Sequence, residues 1–435
     1  MKLGLRLLNP YRLGTLTVIL QAASAAAQEA PPPPPPAEPA AAPAPAAAPP
    51  AAEPPAAVIN EPATAAPAPA AAAPAPVAPE PAAPEEPAKE APEEEAPPLN
   101  VSIWGRVDAQ VTNGASAPPV QPSGDKLTDI YSTAQIEIHT SGKVYGAVSF
   151  AANFVGTYNP DIQGTIGLLD GIVQIQPSDY FNIWVGRMLV PVDRSNFSGT
   201  WFAAPWYYPG FGFAGGAVAA PAEGPFGRND GVTVWGQFGG GVFKYYAGMF
   251  DLYNVETSPL FSGRVSLHLL DPEPGYYNSS TYYGKDILSI AAGLQSKKDG
   301  SVATDPLTGD VVATDDYTEF NVDVLFEKNL GGAGVLDLEG AFYKFNGDYQ
   351  ATDAGWYGVA SYLLPSTIGW GKLQPLIRVQ QAIPAADEAD TSTLIDAQLG
   401  YVVNSYATRF ALGYRTGSAG DLDVQAIYFG AQFLK

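Results

Sequence analysis

Cysteine is absent from this sequence, and long apolar segments and histidine are scarce. Without cysteine the folded chain must be stable without disulfides, and a lipid anchor on a cysteine behind a signal peptide is excluded. No segment after residue 27 offers about 18 uncharged apolar residues, so the sequence predicts no transmembrane helix. If the chain lies in a membrane, it must form a closed β-barrel, because only a barrel then satisfies every backbone polar group.

Basic residues are also few: 22 Lys and Arg stand against 44 Asp and Glu, and the net charge is −22. We therefore expect no binding of nucleic acid, which is itself a polyanion. The two histidines, His139 and His268, lie in different predicted strands and outside any nucleophile or metal-ligand motif. No Gly-rich phosphate loop or metal-ligand spacing occurs either. The sequence thus predicts no enzyme and no cofactor.

The first residues have the features of a secretory signal peptide. A positively charged start precedes the short apolar stretch 13–20, and small residues end at Ala27. That stretch is too short to cross roughly 30 Å of hydrocarbon, so an uncleaved anchor fits less well. We expect residues 1–27 to be a signal peptide and the mature chain to start at Gln28.

Residues 28–99 form a segment rich in Ala, Pro and Glu, and 31–98 contains almost nothing else. Proline removes backbone donors and no aromatic side chain can start a core, so we expect a disordered segment with polyproline II character. Its composition suits an inert, solvated spacer. It also suits a tether that touches peptidoglycan or another periplasmic partner, and both roles remain open.

From Asn100 to Lys435 the sequence consists of short alternating segments separated by turn residues. Their lengths fit the roughly 9 to 11 residues of a tilted strand that crosses a membrane. The pattern predicts sixteen strands, at 101–111, 129–140, 143–155, 167–176, 181–189, 230–238, 241–250, 260–270, 286–296, 317–328, 334–345, 356–364, 370–381, 393–403, 406–415 and 423–434.

Apolar and charged side chains alternate within these strands. In the first strand Val101, Ile103 and Val107 share one face, while Arg106 and Asp108 share the other. A period of two places the two sets on opposite faces of a sheet. A soluble β-sandwich buries the apolar face, whereas a membrane barrel turns that face to lipid and keeps the charges in a watery lumen. Alternation alone leaves both designs open.

The connections favour the barrel, because barrels of outer membranes have short periplasmic turns and longer extracellular loops. Short connections are predicted at 140–142, 177–179, 239–240, 330–333 and 404–405, and long ones at 112–128, 156–166, 190–229, 297–316, 346–355 and 382–392. This order places both ends of the barrel domain in the periplasm. The connection 271–285 is an exception, since its position is periplasmic but it is long. We predict an all-β fold, a sixteen-stranded antiparallel transmembrane β-barrel over residues 100–435.

Residues 100–435 resemble the sixteen-stranded porins of outer membranes. The segment from Val185 to Pro191 (VGRMLVP) is similar to a passage in phosphate-selective porins, where a Gly-polar-x-x-x-Pro pattern leads into the third extracellular loop. The resemblance, which general diffusion porins share in architecture, implies an outer-membrane location in contact with lipid and lipopolysaccharide. It also implies a third loop that narrows the lumen, a homotrimer, and passive diffusion of ions and small hydrophilic solutes.

Selectivity in a porin depends on charged and polar groups that line the pore. By alternation the pore-lining candidates are Arg106, Asp108, Glu137, Lys244, Arg264, Asp323, Asp337, Glu339, Arg378, Arg409 and Arg415. In the 190–229 connection the constriction-loop candidates are Asp193, Arg194, Trp201, Trp206, Tyr207, Glu223 and Arg228. The charges either set selectivity, solvate the lumen or pair with one another. The loop aromatics either stack on sugar rings or pack the loop against the barrel wall or a trimer contact.

Several functions remain open at this point. The barrel region is acidic overall, which favours a weak cation preference because charged clefts concentrate counter-ions. An eyelet built from Arg378, Arg409 and Arg415 favours anions or phosphate instead, and the loop aromatics favour sugars. A barrel that only anchors an envelope tether is a further alternative. Anchors need only about eight strands, whereas sixteen leave room for a channel.

Overall fold

The computed structural model describes residues 99–113, 127, 129–158, 164–207, 227–251, 258–304, 311–387, 389–419 and 422–435. The predicted signal peptide and the Ala/Pro-rich segment lie outside these residues. So do Glu223 and most of the second half of the 190–229 connection. Within the described part of the chain, no helix has the length and apolar character needed to span a membrane.

Sixteen long strands and one two-residue strand, β13, make up the sheet. They are β1 (Asn100–Thr112), β2 (Asp129–Tyr145), β3 (Val148–Tyr158), β4 (Thr165–Ile175), β5 (Asn182–Leu189), β6 (Arg228–Phe238), β7 (Phe243–Phe250), β8 (Leu260–His268), β9 (Ile287–Thr304), β10 (Val311–Asn329), β11 (Val335–Asn346), β12 (Thr352–Leu363), β13 (Thr367–Ile368), β14 (Gly371–Pro384), β15 (Ser392–Asn404), β16 (Thr408–Ala419) and β17 (Leu422–Leu434).

Each long strand pairs antiparallel with its neighbours in sequence, and β12 pairs with β14 across the short β13. The sheet closes because β1 also pairs with β17, from Trp104 opposite Leu434 to Thr112 opposite Ala426. The fold is therefore a closed sixteen-stranded antiparallel β-barrel, and this prediction is confirmed. We call the end that holds Asn100 and Leu434 the terminal end, and the opposite end the loop end.

The two faces of the barrel are reversed relative to a soluble protein. Val107 is 50 % exposed and Phe320 45 %, whereas Asp108 and Asn321, which follow them in the chain, are buried. Because successive side chains in a strand point to opposite faces, the apolar set covers the outside and the charged set lies inside. A sandwich would show the opposite pattern, so the alternation belongs to a barrel of the membrane type.

One predicted turn is wrong. The small polar residues Thr140–Gly142 lie within β2, which continues to Tyr145, and Gly142 pairs with Phe150 of β3. The turn falls at Gly146–Ala147, where Gly146 has φ +53°. Small polar residues resemble a turn in sequence, but at the end of a strand they keep their ladder hydrogen bonds, and glycine supplies the left-handed conformation that the real turn needs.

The predicted long loop 297–316 is also wrong, because most of it is strand. β9 runs to Thr304 and β10 starts at Val311, so only 305–310 connects them. The Asp299-Gly300 pair, which resembles a turn, lies in β9 with Asp299 at φ 55°. The β9–β10 register shifts nearby, between Asp315 and Tyr317. The hairpin thus absorbs an irregularity as a bulge rather than ending there.

Candidate functional site: the barrel interior

The connection that follows β5 folds into the barrel. We call its described part, residues 190–207, the lumen loop. Its first residues lie against β8 and β9: Ser262 Oγ donates to the Pro191 carbonyl over 2.8 Å, and Arg264 Nη1 donates to the Val192 carbonyl over 3.1 Å. A Cβ atom at Gly293 would lie 2.3 Å from the Val192 oxygen, so only glycine permits this approach.

A single helical turn, α1 (Arg194–Ser198), follows inside the lumen, and its residues are buried. The Asp193 carboxylate caps it by accepting from the Asn196 amide over 2.7 Å, and it also accepts from the Tyr343 hydroxyl of β11. Burial raises the pKa of Asp193 to about 6, although both hydrogen bonds oppose that rise. The cap therefore fixes the start of α1 to the β11 wall.

Beyond α1 the lumen loop is held by four buried arginines of the wall, which we call the arginine arc: Arg106, Arg378, Arg409 and Arg415. Arg106 Nη1 donates to the Thr200 carbonyl over 2.5 Å, and its Nη2 donates to the Trp206 carbonyl. Arg409 Nη1 donates to the Ala203 carbonyl over 2.5 Å. A guanidinium offers five donors and no acceptor, so carbonyl oxygens are suitable partners.

The arc continues at the end of the described loop. Arg378 donates to the Tyr207 carbonyl over 2.9 Å and to Asp396 over 3.3 Å. The Arg415 guanidinium lies 4.3 Å from the centre of the Tyr207 ring and donates to Gln110 over 3.2 Å. Backbone hydrogen bonds and cation–π contacts thus fix residues 200–207 along the β1, β14 and β16 walls.

The described aromatics of the loop pack against the wall. The Trp206 ring lies 3.8 Å from the Arg106 guanidinium and covers Gly430, where a Cβ atom would come within 2.2 Å of the indole. Trp201 Nε1 donates to Glu137 over 2.7 Å, and the Tyr207 hydroxyl donates to Asp108 over 2.9 Å. In the structure Trp201, Trp206 and Tyr207 all contact the barrel wall.

A second charged cluster joins the lumen loop to the connection between β8 and β9, at the terminal end of the barrel. Arg194 makes two hydrogen bonds to Glu273, of 2.9 and 2.6 Å, and both side chains are fully buried. His268 Nδ1 lies 2.6 Å from the same carboxylate. Burial disfavours the charged form of Glu273, but Arg194 and His268 hold its pKa well below the usual range. Arg264 pairs similarly with Asp323, at 2.5 and 3.0 Å.

The remaining predicted site residues lie inside the barrel at separate places. Lys244 Nζ donates to the Gly275 carbonyl over 2.9 Å. Asp337 accepts from Ser361 over 3.3 Å, and Glu339 accepts from the Tyr357 hydroxyl over 2.7 Å.

Arg228 was expected in the constriction loop, and this placement is wrong. It is the first residue of β6, and its Nε donates to Asp170 of β4 over 3.1 Å. The predicted connection 190–229 was followed by a strand from 230. The strand in fact begins earlier, since Leu189 pairs with Arg228.

Glu273, Tyr276 and Thr281 are interior residues that were not predicted from the sequence. They lie in the connection between β8 and β9, at the terminal end, where the other described connections are short. The sequence did carry one signal, because 271–285 was the exception to the short-and-long order of connections. Its length did not indicate that it folds inward.

No known family model matches this chain, and no curated protein matches it. Several solved structures do match this chain. A loop-deletion mutant of OmpT, an outer membrane protein of Vibrio cholerae, has a TM-score of 0.54 at 12 % identity and covers 78 % of this chain and 100 % of its own. Pseudomonas putida OprB has a TM-score of 0.55 at 9 % identity, with 78 % and 94 % covered.

A third structure, in-vitro folded OmpT in a trimer form, has a TM-score of 0.51 at 12 % identity and covers 78 % of this chain and 100 % of its own. At such low identities the likeness establishes the barrel fold and nothing about what passes through it.

Proposed function

We propose that this chain is a porin of the outer membrane, a passive channel for ions and small hydrophilic solutes. The observation that carries the proposal is the closed sixteen-stranded barrel with an apolar outside and a charged inside. The apolar outer face can lie in contact with lipid, and closure of the barrel leaves no unpaired strand edge in hydrocarbon. Sixteen strands enclose a wider interior than side chains alone fill, so the barrel suits a channel better than a plain anchor.

In this proposal the terminal end faces the periplasm together with residues 28–99, and the loop end faces outside. The lumen loop narrows the channel, and wall charges such as Arg106 and Asp323 are buried against it. Membrane lipid and lipopolysaccharide surround the exposed apolar belt, which includes Val107 and Phe320. A homotrimer is the assembly we propose, and one similar structure is described as a trimer form.

A weak cation preference remains our proposal for selectivity. Three members of the arginine arc, Arg106, Arg378 and Arg409, donate to backbone carbonyls of the lumen loop. Donors engaged in this way are less available to a passing anion, which weighs against an arginine eyelet for phosphate. The acidic barrel region then sets the sign of the electric field in the channel. Salt screens charges at distances beyond about 8 to 10 Å, so the cation preference is weak in a wide channel.

Liposome swelling tests the channel function directly. Purified, folded protein in liposomes should permit swelling in isosmotic arabinose or glucose, with rates that fall as the sugar becomes larger. Liposomes that contain heat-unfolded protein serve as the control and should not swell. A folded, membrane-inserted barrel that admits none of these sugars would contradict the proposal and favour an anchor for the amino-terminal segment.

A further inference from the structure

We propose that the connection between β8 and β9, residues 269–286, is a second constriction element of the channel. We call it the strap. It crosses the interior at the terminal end and holds the lumen loop in its narrowing position. This inference rests on the proposed channel function.

The strap is longer than the hairpin requires. After β8 ends at His268, the Leu269 amide still donates to the Leu288 carbonyl over 2.8 Å, and the Asp271 amide donates to the Asp286 carbonyl over 2.7 Å. The hairpin is therefore closed at 271 and 286, and residues 272–285 are additional to it. A longer loop costs closure entropy, and this one also places polar groups inside the barrel, so its own contacts must offset both costs.

One part of the strap is fixed to the β5–β7 wall. The Gly275 amide donates to Gln237 of β6 over 2.9 Å, while its carbonyl accepts from Lys244 of β7 over 2.9 Å. The Tyr276 ring stacks on Trp184 of β5 with their centres 4.2 Å apart. Stacking and paired backbone groups together make this a specific attachment.

The next part is fixed across the interior. The Thr281 amide donates to the Tyr406 hydroxyl, in the turn between β15 and β16, and its carbonyl accepts from that hydroxyl, both over 3.0 Å. Glu327 of β10 accepts from the amides of Gly284 and Lys285 over 2.7 and 2.9 Å. Strands β5–β7 and β15–β16 are well separated around the barrel, so the strap spans the lumen between them.

The strap and the lumen loop contact each other directly. Besides the Arg194–Glu273 pair, Arg194 Nη1 donates to the Ser279 carbonyl over 2.7 Å. The Ser280 amide donates to the Phe202 carbonyl over 2.9 Å. A buried ion pair resists separation, because removing one partner leaves an uncompensated charge. Glu273 is thus a positioning residue for the lumen loop, and the two segments narrow the channel as one unit.

Single-channel recordings on three variants test this inference. In the strap variant, Asn-Gly replaces residues 272–285 and joins Asp271 to Asp286 as a tight turn. Its conductance should rise about twofold or more, because the cross-section at the terminal end widens. E273Q keeps the strap but removes the carboxylate charge that pairs with Arg194. The lumen loop is then held less firmly, and the current should fluctuate between more sublevels. D353N, at the exposed Lys344–Asp353 pair, is the matched control and should behave as wild type.

Heat-modifiable migration in gel electrophoresis establishes which variants are folded. If the shortened chain does not fold, E273Q alone still tests the strap proposal. Wild-type conductance and noise in folded E273Q or in the folded strap variant would overturn the strap proposal while leaving the channel intact. If wild type and strap variant both insert and neither conducts, the channel function itself fails. A silent wild type with a conducting strap variant would support the strap as a closure.

Discussion

Charged side chains in the interior divide by the backbone groups that they bind. Three members of the arginine arc bind carbonyl groups of the lumen loop, as Arg106 binds that of Thr200. Glu327 instead binds amide groups of the strap, such as that of Gly284. Donor-rich guanidinium groups and acceptor-only carboxylates thus each hold the backbone group of opposite polarity.

R409Q tests the arc at this scale. The change removes the donors of Arg409 to Ala203 and Thr200 and its contact with the Trp206 ring. We expect residues 200–207 to loosen, so single-channel current should become larger and noisier. K344Q, at an exposed ion pair near the loop end, is the matched control. Quiet, wild-type currents from folded R409Q would show that the arc does not hold the loop.

Alternation predicted which of these side chains point inward but not what they bind. Arg106 and Asp108 were assigned to the interior because their neighbours Val107 and Ala109 fall on the other face. Arg106 binds carbonyl groups far along the chain, at Thr200 and Trp206. Such partners depend on the path of a loop inside the barrel, and no periodicity in the strand records that path.

At the element scale, strand periodicity predicted all sixteen long strands, since each has one face toward the outside and one toward the interior. The errors lie at strand ends. Ser141 and Gly142 resemble a turn but lie in β2, and Asp299 and Gly300 lie inside β9. Beyond the apolar belt both faces are polar, so alternation no longer separates a continuing strand from a loop.

Single-cysteine labelling tests the orientation, and the absence of native cysteine removes any background. Ala385 lies in the connection between β14 and β15 at the loop end, and Ala333 in the turn between β10 and β11 at the terminal end. A membrane-impermeant maleimide on intact cells should label A385C and leave A333C unlabelled until the cells are permeabilised. Labelling of A333C alone on intact cells would mean that the barrel is inserted the other way round.

At the scale of the whole molecule, apolar side chains cover the outside of the barrel and charged side chains lie inside, and this arrangement distinguishes a membrane barrel from a soluble β-protein. Composition alone suits a soluble β-protein equally well, and closure through β1 and β17 cannot be derived from any single strand. The signal peptide at 1–27, the roles proposed for 31–98 and the homotrimer remain predictions. They depend on residues outside the described part of the chain, or on contacts between chains.

Recording from the purified wild-type protein in a planar bilayer under a tenfold potassium chloride gradient tests the central claim most directly. We predict stable, stepwise conductance and a reversal potential displaced modestly toward the potassium equilibrium value, since the acidic barrel region favours cations weakly. A clear anion preference would contradict the cation assignment and favour the arginine arc as the selective element. A folded, inserted barrel that never conducts would contradict the channel itself.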